Sequence, residues 1–310
     1  MSSAKAGRVS AKSQTISIKI TRFFADNESE AVCSEMRKKI IFLTMFFLLC
    51  ASMFAQAGLR IILQESAGNL IIVGSHGNVR ELVIPETVND MPITAIGERA
   101  FAGRGLALVS IPDSVIEIGE GAFSNNDLST LVIGNSVETI GLSAFSNNRL
   151  NNLTLGTSVR YIGMGAFSSN HLVTLEIPDS VVDIGPYAFF YNRLTNVSIP
   201  DSVITIGEGA FSSNRIHSVI IGGSVQAIGD GAFFNNRITA ITIPPSVTAL
   251  GNRVFESRLT RVGGAPPIYF LDETGELLFT TGTNFDAFFT TTGRRAGSYT
   301  FSRDGWVFEE

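Results

Sequence analysis

Phenylalanine recurs at every twenty-second position, at Phe101, Phe123, Phe145, Phe167, Phe189, Phe211, Phe233 and Phe255. A fixed step of this length means that each stretch of chain is one supersecondary unit. Such a unit is too small to bury its own apolar face and must stack on its copies. Three further columns keep the step. Ile-Gly pairs occupy 96–97, 118–119, 140–141, 162–163, 184–185, 206–207 and 228–229, and Leu250-Gly251 ends the series. Serine stands at Ser114, Ser136, Ser158, Ser180, Ser202, Ser224 and Ser246; asparagine stands at Asn126, Asn148, Asn170, Asn192, Asn214 and Asn236.

One unit, residues 128–149, reads L-x-x-L-x-I-x-x-S-V-x-x-I-G-x-x-A-F-x-x-N-x. Its L-x-x-L-x-I opening is that of a leucine-rich repeat, with Ser136 where that repeat commonly carries Asn. Leu131 and Ile133 alternate with Thr130 and Val132, the period of a strand with one buried face. Prolines 112, 178, 200 and 244, or glycines 134, 156 and 222, end that strand. Val137 and Ile140 point inward from a short extended or helical stretch, Gly141 permits a turn, and Ala144-Phe145 returns to the core. The expected fold is a repeat solenoid of about eight 22-residue coils with a parallel strand ladder on one face and β-rich caps at both ends. Coils about 4.8 Å apart place like residues over like, so phenylalanine forms a stacked spine. Ser and Asn, at constant positions, are expected to satisfy backbone groups at the corners of the coil.

These motifs, S-V-x-x-I-G-x-x-A-F between L-x-x-L-x-I strands, resemble the BspA-like leucine-rich repeat family of bacterial surface and secreted proteins, over about residues 80–262. The unit is one residue shorter than the family's common one and carries Asn where its loop often carries Cys. The resemblance implies a binding protein, with adhesion to host matrix proteins or other bacteria as the expected activity.

Residues 36–57 have the form of a secretory signal peptide. Met36 precedes Arg37, Lys38 and Lys39, an apolar run follows, and Ala55-Gln56-Ala57 is a small-residue cleavage site. Met36 is thus the expected start, and residues 1–35 the expected upstream extension. Both cysteines, Cys33 and Cys50, precede the cleavage site, so stability of the exported part rests on stacking rather than disulfides. Leu49 before Cys50 disfavours a lipidation site, and no second long apolar segment follows to span a membrane. Residues 1–57 hold 8 of the 23 Lys and Arg and 4 of the 28 Asp and Glu, which leaves 15 arginines against 24 acids, a formal net of −9. Nucleic acid is a poor partner for such a surface. Residues 58–83 read as short strands capping the first coil, residues 84–262 as the solenoid, and residues 263–310 as β-hairpins forming a C-terminal cap or small module.

Motifs for chemistry are lacking. His76, His171 and His217 lie in separate units with no H-E-x-x-H or C-x-x-C pattern, and the serines have no G-x-S-x-G elbow. Asp113, Asp179 and Asp201 follow prolines and suit turn capping. No catalytic residue, cofactor or metal is expected; the rival readings are a structural envelope component and a glycan-processing enzyme that uses the solenoid as a cradle.

Three surfaces remain as binding candidates. The outward strand positions, Thr130, Asn152, Thr174, Glu176, Asn196, Ser198, Ser218 and Thr242 among them, are small and nearly all uncharged. They suit either multivalent contact with a protein or glycan, or a solvated face that only favours strands. The residue after each ladder asparagine gives a column of Arg149, His171, Arg193, Arg215 and Arg237, headed by Asp127. It reads either as an anion-binding stripe or as Arg stems covering coil edges. Tyr161, Tyr187, Phe190 and Tyr191 make one region unusually aromatic, as a contact hot spot or as packing under a loop.

Overall fold

The computed structural model describes residues 59–238, 240–241 and 243–255, together with the backbone of the strands Ile268–Leu271, Leu277–Thr281, Ser298–Ser302 and Gly305–Glu309. The expected signal peptide, the upstream extension, Thr242 and the aromatic side chains after residue 263 lie outside the described residues.

Successive coils superpose with a register of 22 residues. Asn152 pairs with Thr130, and Ser218 with Asn196. The expected strand is present as Glu81–Val83, Leu108–Ser110, Thr130–Val132 and Asn152–Thr154, a parallel ladder built on buried Leu82, Val109 and Leu131. It resumes at Asn196–Ser198, Ser218–Ile220 and Ala240–Ile241, and Ile268–Leu271 joins the same sheet. The coil between is not paired on this face. Residues 174–176 form no strand, and the inward Leu153, Leu175 and Ile177 are only half-buried.

A second ladder runs without interruption along another side: Met91–Ile96, Glu117–Ile118, Thr139–Ile140, Tyr161–Ile162, Asp183–Ile184, Thr205–Ile206, Ala227–Ile228 and Ala249–Leu250. It stands in addition to the expected ladder on the first face. The V-x-x-I stretch, open between extended and helical in sequence, is extended, and there is no helix among the described residues. The reason lies in the glycine that follows each isoleucine. Gly141 donates its N–H to Ile118 O at 2.7 Å, and a Cβ on Gly141 would come within 2.7 Å of the Gly119 carbonyl carbon. The column therefore exists because adjacent backbones approach too closely for a side chain, rather than to relax a turn.

The phenylalanine spine forms as expected. Ring centroids lie between 5.1 Å for Phe101–Phe123 and 5.8 Å for Phe233–Phe255, with planes within 15° of parallel. Separations above the coil step of about 4.8 Å indicate rings inclined to the stacking axis, the offset arrangement that aromatic quadrupoles favour.

The asparagine ladder binds coil to coil. Asn148 is buried; its Nδ2 donates to Phe123 O at 2.9 Å and to Phe145 O at 3.1 Å, and its Oδ1 accepts from Leu128 N at 3.1 Å. Asn126, Asn170, Asn192, Asn214 and Asn236 repeat the pattern. Each amide thus satisfies three backbone groups of two coils where the chain turns. Serine does not match this performance. Ser180 Oγ donates to Val159 O at 2.7 Å, but the buried hydroxyls of Ser114, Ser202 and Ser246 have no hydrogen-bond partner among the described residues. The aspartates after proline act between coils: Asp113 Oδ1 accepts from Asn135 N at 2.6 Å and Asp201 Oδ1 from Gly223 N at 2.7 Å.

At the first coil, residues 60–66 and 69–76 form an antiparallel hairpin, Arg60–Ser66 with Asn69–His76, turning on Ala67 and Gly68 at positive φ. Asn69–His76 adds in parallel to Met91–Ile96, so the hairpin extends the second ladder. The extra residues of the first coil form a second tight turn on Asn89 and Asp90, also both left-handed, joining Thr87–Val88 to Met91–Ile96.

Candidate functional site

The strand face is exposed and weakly polar, as its residue types dictate. Asn152, Thr174, Glu176, Asn196, Ser198 and Ser218 are exposed and Thr130 half-exposed, with Val132 and Ile220 interspersed as exposed apolar groups. Thr174 and Glu176 fall in the unpaired coil, so the face is two patches rather than one continuous sheet.

The cationic column lies beside this face. Backbone bonds from Arg149 N to Leu128 O, His171 N to Leu150 O, Arg193 N to Leu172 O, Arg215 N to Leu194 O and Arg237 N to Ile216 O hold its members on successive coils. Its first arginine is engaged, with Arg149 Nη2 3.0 Å from Asp127 Oδ1. The guanidinium groups of Arg193, Arg215 and Arg237 meet no carboxylate of a described residue at ion-pair distance. Desolvation, with the charges of Arg193 and Arg149, holds the His171 imidazole below its usual pKa, so it is neutral at pH 7. The uninterrupted positive stretch is thus Arg193, Arg215 and Arg237, about 4.8 Å per coil and inside one Debye length of each neighbour.

The aromatic group is divided by its packing. Two columns of every coil adopt left-handed backbone, one at positions 99, 121, 143, 165, 187, 209, 231 and 253 and one at 103, 125, 147, 169, 191, 213 and 235. Most of these positions hold Gly, Asn or Ser, which tolerate it. Tyr187 and Tyr191 occupy both in a single coil, each with φ of 56°. A bulky side chain is an outlier there, kept in place only by its surroundings. For Tyr187 the surroundings are clear: its ring covers Gly209 of the next coil, where a Cβ would lie 2.6 Å from Cδ1, and its hydroxyl donates to Glu208. That bond, then burial and the charges of Glu208 and Asp230, raise its pKa. Phe190 meets the Tyr187 ring edge-on at 5.9 Å and the Tyr191 ring at 6.0 Å. Tyr191 remains 64% exposed. Tyr161 stands apart on the second ladder, with Arg160 5.6 Å from its ring centre and no ring contact to the other three.

A family model described as the BspA type leucine-rich repeat region matches residues 75–195 and 182–263, in six copies. The chain belongs to this family. Among solved structures, a leucine-rich repeat protein from Bacteroides ovatus is 29% identical with a TM-score of 0.53, covering 65% of this chain and 62% of its own. A leucine-rich cell surface protein from Faecalibacterium prausnitzii is 26% identical with a TM-score of 0.47, covering 73% of this chain and 60% of its own. The chain therefore spans less than two thirds of either protein. A search of curated proteins gave no match.

Within this BspA-type solenoid, the side chains that vary between coils line up in rows. No group of three or more metal-ligating side chains occurs among the described residues, and no described helix is long and apolar enough to cross a membrane. One further row escaped the sequence reading. The residue after each Ile-Gly pair runs Glu98, Glu120, Leu142, Met164, Pro186, Glu208, Asp230, an acidic column interrupted by three apolar residues. Its signal is present in the sequence only once the coil is aligned on its 22-residue step and the variable columns are read downward.

Proposed function

We propose that this BspA-type repeat protein is exported and binds a macromolecule without acting on it, taking an anionic stretch of a protein or glycan along Arg193, Arg215, Arg237 and the adjoining strand face. Such a partner belongs to a host matrix or to another bacterial surface. The observation that carries this reading is the set of three guanidinium groups on successive coils, none engaged by a described carboxylate, in a chain that is otherwise acidic. Among the described exposed positions the face carries only Glu176 and, in its first strand, Glu81 as charges, so a polyanion meets little repulsion beside the arginines. Repeated weak contacts at a constant step favour a long ligand over a small one through effective concentration.

The test is retention of the full-length protein on an immobilised sulfated glycan at low and physiological ionic strength. Arg193→Glu combined with Arg215→Glu is expected to weaken retention about tenfold and to flatten its salt dependence. Unchanged retention and salt dependence would exclude the stripe, and cleavage of the glycan would replace binding by catalysis. Export is tested separately by N-terminal sequencing of the native protein, with Gly58 as the expected first residue; a peptide from before Met36 overturns the proposed start.

A further inference from the structure

The row Glu98, Glu120, Leu142, Met164, Pro186, Glu208, Asp230 lies at a different corner of the coil from the arginine stripe and has the opposite charge. Its register is fixed by backbone bonds from Gly121 N to Leu142 O, Ser143 N to Met164 O, Gly165 N to Pro186 O and Tyr187 N to Glu208 O, each 2.7–2.8 Å. Met164 is 45% exposed, Pro186 is exposed and Leu142 half-exposed. The fold does not ask for apolar residues here, because the same turn is built in four other coils around Glu98, Glu120, Glu208 and Asp230. Placing three apolar side chains in solvent on consecutive coils, with Tyr187 beside them, forms a patch of the kind that marks an interaction surface.

The flanks give the patch its chemistry. Glu120 stands on one side, with Glu98 beyond it; Glu208 stands on the other, its carboxylate oriented by the Tyr187 hydroxyl, with Asp230 beyond. On and next to the second ladder Glu117, Glu138 and Asp183 add negative charge, against Arg99 and Arg160. Sulfated glycans, nucleic acids and anionic lipid surfaces are repelled by such a rim. From Glu120 to Glu208 is four coil steps, about 19 Å, which an extended chain at about 3.3 Å per residue spans in roughly six residues. We infer that this row is a docking strip for an extended polypeptide segment with an apolar centre and arginine or lysine at both ends. The strip is independent of the arginine stripe and survives its failure.

The test is fluorescence anisotropy of the full-length protein with a labelled octapeptide carrying two arginines at each end and Val-Leu-Pro-Phe between. The expected result is saturable binding that weakens at least about tenfold when the arginines are replaced by glutamates, and at least about tenfold in Met164→Glu and in Glu120→Lys combined with Glu208→Lys. Leu142→Glu provides an independent reading should Met164→Glu unfold. Equal binding of the acid-ended peptide, or unchanged affinity in the variants, overturns the assignment. So does absence of binding, or sedimentation showing that the apolar-to-acid variants act by dissolving a self-association, which would make a second copy the occupant.

Discussion

At the scale of single residues, the asparagine ladder and the charged side chains permit the sharpest expectations. Asn170→Ala leaves Leu150 N, Phe145 O and Phe167 O without their partner in a dry corner. At about 1–3 kcal/mol for a buried group left unpaired, with partial relaxation among three, a loss of about 3 kcal/mol in denaturant titration is expected. Asp183 behaves in the opposite sense. Desolvation raises its pKa, so the folded state holds the proton more tightly than the unfolded chain does. Its stabilising contribution is complete below the ordinary carboxylate range and is lost as pH rises through the raised value. Asp183→Asn, which imitates the protonated form, is expected to unfold at higher temperature than the parent at pH 7 and at the same temperature in acid. His171 supplies a third prediction, in binding. Its lowered pKa keeps it neutral at pH 7, so polyanion retention should rise only as pH falls below the usual imidazole range. His171→Gln should abolish that rise while leaving retention at pH 7 unchanged.

At the scale of the element, the two kinds of glycine separate close approach from backbone freedom. A Cβ at Gly163 meets the Gly141 carbonyl carbon and Ile140 O, each at 2.7 Å, and both belong to backbone that cannot step aside. Gly165 has φ of +62° but only Ser143 Oγ and Ser168 Oγ nearby, at 3.3 and 3.5 Å. Gly163→Ala is therefore expected to cost about 3 kcal/mol and Gly165→Ala about 1 kcal/mol in chemical unfolding. The same distinction shows what the sequence could disclose. The phenylalanine and asparagine columns were legible because period and residue type together leave each a single role, Phe filling the core and Asn bonding the corner. The second ladder was not, since two extended residues per coil are too few to display alternation, and V-x-x-I fits a helical turn equally well. The left-handed strain at Tyr187 and Tyr191 was hidden for another reason. Tyrosine does not advertise positive φ, and only the residues above and below in the columns, Gly165 and Gly209 for Tyr187 and Ser169 and Ser213 for Tyr191, give the position away.

At the scale of the whole molecule, stability is expected to be local, because each coil touches only its neighbours. Phe167 is fully buried and stacks on Phe145 and Phe189, at 5.4 Å each. Phe167→Ala should remove about 3–5 kcal/mol at the centre of the array and divide unfolding into two transitions. Hydrogen exchange would show loss of protection spreading outward from the coils of Phe145 and Phe189; one unchanged cooperative transition would contradict it. The candidate surfaces obey the same one-dimensional logic. The repeat itself made the architecture readable, but the recognition we propose rests on departures from it, on arginines that meet no described carboxylate and on three apolar residues within an acidic row, whose meaning depends on neighbours 22 positions away.

The missing strand at residues 174–176 has a mechanical consequence. One seam of the solenoid is stitched at every described coil while the strand-face seam drops a stitch, so resistance to bending differs between the two sides. A load that pulls the strand face open should be concentrated at that coil, with the unbroken seam serving as the axis about which the two halves tilt.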